Sequence, residues 1–149
     1  MARTSGANAI AGAVCAGLSL AFLHVAVVAA DPLGVWRDKD GGTIRVQACG
    51  EDLCAVIASM NPPADPATGK AWLDKNNPDS AKRGRPLIGV PVLSNMKASG
   101  PRKWTGTLYD PQRGFVLTGN LIEINPDTIR IEGCMLFLCG GEELHRAGR

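Results

Sequence analysis

A chain of 149 residues and 15.6 kDa makes one domain, two at most. Its composition of 45% hydrophobic and 20% charged residues excludes intrinsic disorder, and 18 glycines with 10 prolines call for many turns rather than a helical bundle. A net charge of +2, scattered along the chain, excludes an electrostatic nucleic-acid binder.

Residues 1–30 carry one charged side chain, Arg3, followed by the apolar run Ile10–Ala30 ending Val28-Ala29-Ala30. A basic start, an apolar middle and small residues at the end predict a secretory signal cleaved after Ala30. The alternative is a permanent anchor, since the run is long enough to span a bilayer, with His24 at depth. Cleavage removes Cys15 and turns five cysteines into four, an even number that suits two disulfides in an oxidising compartment. The expected organisation is therefore a signal peptide at 1–30 and one domain at 31–149, periplasmic or secreted, with no stable membrane span after processing.

From Asp31 onward the pattern is short strands between turn clusters. Gly34–Arg37 is the first. Thr43–Cys49 (TIRVQAC) alternates, with Ile44, Val46 and Ala48 on one face. Cys54–Met60, Leu87–Leu93, Lys103–Tyr109 and Phe115–Ile124 follow. Thr128–Cys134 (TIRIEGC) alternates again, and a last strand falls near Glu142–Arg146. Period two means one buried and one wet face. The turn signals between the strands are DKDGG at 38–42, residues 50–53, SGPR at 99–102, DPQRG at 110–114 and NPDT at 125–128. No segment sustains a helical apolar period. About eight strands at this spacing predict an all-β antiparallel meander, closed into a small up-and-down barrel so that no edge is left open. Residues 61–85 break the rhythm as one long loop, which in a compact domain is functional or disordered; Trp72 implies that part of it packs down.

The four remaining cysteines form two C-x4-C pairs. Cys49 and Cys54 straddle a hairpin turn, which brings their Cβ atoms within disulfide reach, and Cys134 and Cys139 are expected to pair locally too. Metal binding is the rival, since zinc sites space paired cysteines by two to four residues, but exported thiols oxidise, so disulfides and no metal are expected, and no cofactor motif is present. Gly34-Val35-Trp36 resembles the Gly-x-Trp of lipocalin-like barrels, whose indole closes the barrel under an Arg of the last strand; Arg146 is placed to be that cation. A plain core Trp36 is the alternative.

Catalytic parts are few. His145 is the one histidine after residue 30, and there is no nucleophile elbow, zinc-protease helix or P-loop. The densest polar group is Asp74, Asn77, Asp79, Arg83 and Arg85. It reads either as a salt-bridged loop or as a ligand lip whose Arg grips an anionic head group. Trp104, Tyr109 and Asp110, in W-x-G-x-x-Y-D-P, are its expected neighbours.

Taken in order, six motifs carry a resemblance: D-P-x-G-x-W (31–36), C-G-x-x-L-C (49–54), D-x-x-N-P-D (74–79), R-x-R-P-L-x-G (83–89), W-x-G-x-x-Y-D-P (104–111) and Gly133-Cys134. Together they resemble the bacterial secreted family called Domain of Unknown Function 2147. The resemblance implies an exported, lipocalin-like barrel and no assigned activity. Leu144 stands where that family carries a Trp two residues before its terminal Arg. Three function classes follow: a periplasmic binding module for a small apolar or amphipathic envelope molecule, held in or at the barrel; a structural or interaction protein of the envelope with a solid barrel; and a hydrolase or isomerase built on the Asp74–Arg85 group. Interior volume separates the first two. Oligomeric state is not legible.

Overall fold

Eight strands form where alternation and turn chemistry coincide: β1 (Gly34–Arg37), β2 (Thr43–Cys49), β3 (Asp52–Ser59), β4 (Pro91–Gly100), β5 (Lys103–Asp110), β6 (Phe115–Asn125), β7 (Thr128–Met135) and β8 (Leu138–Gly148). The structure is a computed structural model and describes residues 31–148; the expected signal peptide at 1–30 lies outside them. Each strand pairs antiparallel with the next, and β8 pairs with β1, so the sheet is a closed up-and-down barrel. The topology sorts the connections into two ends. The loop end carries the β1–β2 turn, the long β3–β4 loop, the β5–β6 turn and the β7–β8 turn. The other end carries the three remaining turns and the start of β1.

Two strands depart from the sequence expectation. β4 runs Pro91–Gly100 rather than 87–93. Leu87 and Val90 are buried, but they are held by irregular backbone bonds, Leu87 N to Trp72 O at 2.8 Å and Ile57 N to Val90 O at 3.0 Å. Beyond Leu93 the strand bulges between Ser94 and Lys97, with Asn95 at φ 52°, and the bulge erases the period-two signal. Gly106 on β5 makes that bulge possible, because a Cβ there would stand 2.5 Å from the Asn95 carbonyl oxygen. β8 starts at Leu138 rather than near Glu142. Its glycines carry no strand preference of their own and are held by the ladder to β7, Gly133 opposite Gly140.

Side chains pack the part of the barrel around Trp36, whereas on the same inward face nearer the loop end Leu108, Leu117 and Ile131 are half-buried and Glu142 is exposed. Trp36, Val46, Ala55, Leu93, Met96, Leu121 and Ile129 are all at 2% exposure or less, as the narrow bore of an eight-stranded barrel allows. Leu144 is also in this core, opposite Ile129, so the aliphatic residue at that position is a packing element. Both disulfides form locally, Cys49–Cys54 across the β2–β3 turn and Cys134–Cys139 across the β7–β8 turn; they staple opposite ends of the barrel.

At the end away from the long loop, Arg146 lies over Trp36, its guanidinium carbon 4.1 Å from the ring centroid. Trp36 Nε1 donates to the Pro32 carbonyl at 2.8 Å, and Gly34 holds the entry to β1 at φ 129°. Among the described residues no helix is long and apolar enough to cross a membrane.

Candidate functional site

The long loop folds back on itself before it reaches β4. Leu73 bridges Pro86, and Asp74 N donates to Arg85 O at 3.0 Å. This places the side chains of Asp74 and Arg85 side by side. Asp79 caps a single 3-10 turn, Ser80–Lys82, which brings the chain round from Asn77 to Arg85. The loop then docks on the β5–β6 turn: Asn76 Nδ2 donates to Gln112 O at 2.7 Å. Gly114 admits this contact. It sits at φ 70°, and a Cβ would stand 2.0 Å from the Asn76 carbonyl oxygen.

Docking buries one carboxylate completely. Asp74 is at 0% exposure and accepts from three donors: the Tyr109 hydroxyl reaching over from β5, Asn77 Nδ2 at 2.7 Å and Arg85 Nε at 2.9 Å, with Arg85 Nη2 completing the ion pair at 2.9 Å. Burial pushes the Asp74 carboxyl up, but the bonds from Tyr109, Asn77 and Arg85 outweigh it and hold the group below its ordinary value. The same environment acts oppositely on Tyr109. Burial, then the bond to the Asp74 anion, push its phenol up to about 12.

The structure thus gathers Asp74, Asn77, Arg85 and Tyr109 into one network. Arg83 stands beside it, its Nε bonded to the Asn77 carbonyl at 2.7 Å, where it braces the loop backbone. Asp79 pairs with Lys82 at 3.1 Å on the surface. Asp110 is not part of the network: its carboxylate caps the β5–β6 turn and pairs with Arg113 at 2.9 Å. Trp104 is not part of it either. It begins β5, opposite Leu121, at the far end of the barrel, and packs against the core. His145 is exposed near the end of β8, at that same far end.

Two surface concavities border the long loop, and neither is lined by the buried residues of the core around Trp36. One, of about 270 Å³, lies beside the Asp74 network, lined by apolar Pro78, Pro91 and Val116 and by polar Asn77, Asp79, Lys82, Arg85 and Tyr109. The other, of about 290 Å³, runs along Trp72 between Lys70 and Lys75. Lys82 and Val116 carry no site signal in the sequence. Lys82 sits among charged loop residues of equal rank, and Val116 belongs to an apolar run that reads as core.

An eight-stranded up-and-down barrel with an Arg over a buried Trp at one end is a lipocalin-like barrel. The chain belongs to the family described as "Uncharacterized protein conserved in bacteria (DUF2147)", whose profile matches residues 34–146. Its fold is similar to a solved structure described as "Protein HP1028 from the human pathogen Helicobacter pylori belongs to the lipocalin family". The TM-score is 0.66, with 18% identity over 78% of this chain and 82% of that one. No curated protein matches the chain.

Proposed function

We propose that the protein is an exported binding module of the cell envelope that takes its ligand on the outside of the barrel, in the groove beside the Asp74 network. The observation that carries this reading is one groove lined by both apolar and polar groups: Pro78, Pro91 and Val116 together with Lys82, Arg85, Tyr109, Asn77 and Asp79. Apolar groups beside Lys82 and Arg85, each already paired with one carboxylate, Asp79 and Asp74, suit an amphipathic molecule whose anionic or carbonyl head shares those donors. At about 270 Å³ the groove matches a head group better than a whole lipid, and it lies on the outside, apart from the packed core around Trp36. Asp74 serves as the anchor of Arg85 in this reading rather than as a base, since its oxygens already accept from Tyr109, Asn77 and Arg85. The proposal therefore includes no catalytic turnover. Export is supported by the charge-poor run at 1–30 and by the two disulfides.

Native mass spectrometry of protein recovered from its own compartment is the test. A small molecule should accompany the wild-type chain. Arg85 is a poor probe, because removing it strips a partner from a buried carboxylate and lowers stability whatever the groove does. Val116→Asp and Lys82→Glu change exposed groove residues. Each should reduce retention at least about tenfold, the equivalent of one good contact, with the melting temperature unchanged. Wild-type protein without a bound molecule, or variants that retain it equally, would overturn the reading. N-terminal sequencing of the same material should begin at Asp31; a form that keeps Arg3 would refute the cleaved signal.

A further inference from the structure

The β7–β8 turn is Met135-Leu136-Phe137-Leu138, and its residues are 55%, 92%, 86% and 69% exposed. Four consecutive apolar side chains stand in water at the tip of a hairpin. The turn is fixed: Cys134 and Cys139 are bonded across its base, and Leu136 adopts φ 57°, a conformation a leucine holds only when its surroundings impose it. Water-exposed apolar groups on a clamped protrusion have no role in folding, so they mark a contact.

We propose that this hairpin inserts into the outer layer of a lipid bilayer and docks the loop end of the barrel on the membrane surface. Three features select lipid as the occupant. First, the tip exposes four consecutive apolar side chains, without the alternation of a strand that lays one face on a protein. A bilayer accepts such a tip in any rotation. Second, the exposed area is too small for a stable protein contact. From the fractional exposures and ordinary side-chain areas the tip presents roughly 500 Å², against about 800 Å² per partner in a standard interface. Third, the uncharged length matches the depth of interfacial insertion. No charge occurs from Gly133 to Gly141, with Glu132 and Glu142 as the flanking residues. Beyond the last rung with β6, Thr118 opposite Cys134, two residues per arm at about 3.3 Å each reach roughly 7 Å, and interfacial segments bury about 5–10 Å. Phe115 and Val116 open β6 at the same end and are 48% and 61% exposed, which adds apolar surface beside the finger. The disulfide holds the finger in its inserted form beforehand, so little ordering entropy is lost on docking. The inference does not depend on a ligand in the groove.

The acidic flanks give the docking a signature. Attraction through the tip needs no anionic lipid and is insensitive to salt. Protein expressed from the complete sequence should therefore co-sediment with phosphatidylcholine vesicles, at low and high salt alike. Phe137→Asp and Leu136→Asp, made in the same way so that residues 1–30 contribute equally, should each weaken partition at least about tenfold without lowering the melting temperature. In Phe137→Trp, vesicles should shift the tip emission to the blue relative to wild type, and brominated lipid should quench it. Equal partition of wild type and both Asp variants would overturn the proposal, as would a Phe137→Trp emission that ignores vesicles. A salt-stable dimer that Phe137→Asp splits and vesicles do not compete with would also overturn it, by assigning the tip to a second copy.

Discussion

Replacing Asp74 with alanine is expected to destabilise the protein by about 3–5 kcal/mol. Breaking a buried pair by deleting one member leaves its partners unsatisfied in a place water does not reach. Here the stranded groups are the Tyr109 hydroxyl, the Asn77 amide and the inner edge of Arg85. Arg85 is about a third exposed and rehydrates in part, whereas Asn77 is buried. Tyr109→Phe keeps the ring and removes one donor to a charged acceptor, so it should cost less, about 1.5–3 kcal/mol. Both values are read from denaturant titrations, and an Asp74→Ala loss below that of Tyr109→Phe would mean that the network does not hold the loop.

The same network fixes a pH dependence with a sign at each extreme. The folded Asp74 carboxyl lies below its ordinary value, so its contribution is complete above about pH 4 and is lost as pH falls through the folded value. Tyr109 is raised to about 12. Its contribution is complete below about pH 10 and is lost as pH climbs from there toward the folded value. Tyr109 is the chain's single tyrosine, so the absorbance of tyrosinate reports it without overlap. Its midpoint should lie near 12 in the wild type and fall in Asp74→Asn, which removes the anion beside the phenol, while staying above the ordinary value because burial, the larger cause, remains. A wild-type midpoint at the ordinary value would show that the hydroxyl is not bonded to Asp74.

Much of this was legible in the sequence, and the gaps have physical reasons. β1 and β2 read correctly to the residue because DKDGG bounds them and TIRVQAC alternates. β4 did not, since a bulge shifts the faces of Ser94–Lys97 and a buried Leu87 in irregular backbone looks like strand. The polar group at 74–85 was legible as a group, with Tyr109 as its neighbour. Which carboxylate is buried was not: Asp74 and Asp79 frame D-x-x-N-P-D alike, and the choice is made by a hydroxyl arriving from β5, 35 positions away. The exposure of the tip was not legible either. Consecutive apolar residues normally belong to a core, and only the hairpin's place at the rim leaves Leu136 and Phe137 in water.

Trp36→Ala should cost about 3–5 kcal/mol, as large buried aromatics do, because the indole is fully buried at the end of the barrel. Arg146 has a second task besides covering it. Its Nη1 and Nη2 donate to the Leu33 and Asp31 carbonyls at 2.8 and 3.1 Å, and its Nε to the Pro126 carbonyl at 2.6 Å. One guanidinium thus joins the entry to β1, the β6–β7 turn and β8, with only 9% of its side chain exposed. Losing these bonds together with the cation–π contact should cost about 2–3 kcal/mol in Arg146→Ala. Arg146→Lys should recover only part of this, since an ammonium on a flexible stem does not reproduce a planar fork bonded on three sides. A double-mutant cycle isolates the stacking. Trp36→Phe weakens the π face without emptying the site, and with Arg146→Ala it should show a coupling of about 1 kcal/mol. Strict additivity would mean that Arg146 holds the barrel end by its carbonyl bonds alone and that the aromatic ring contributes only its volume.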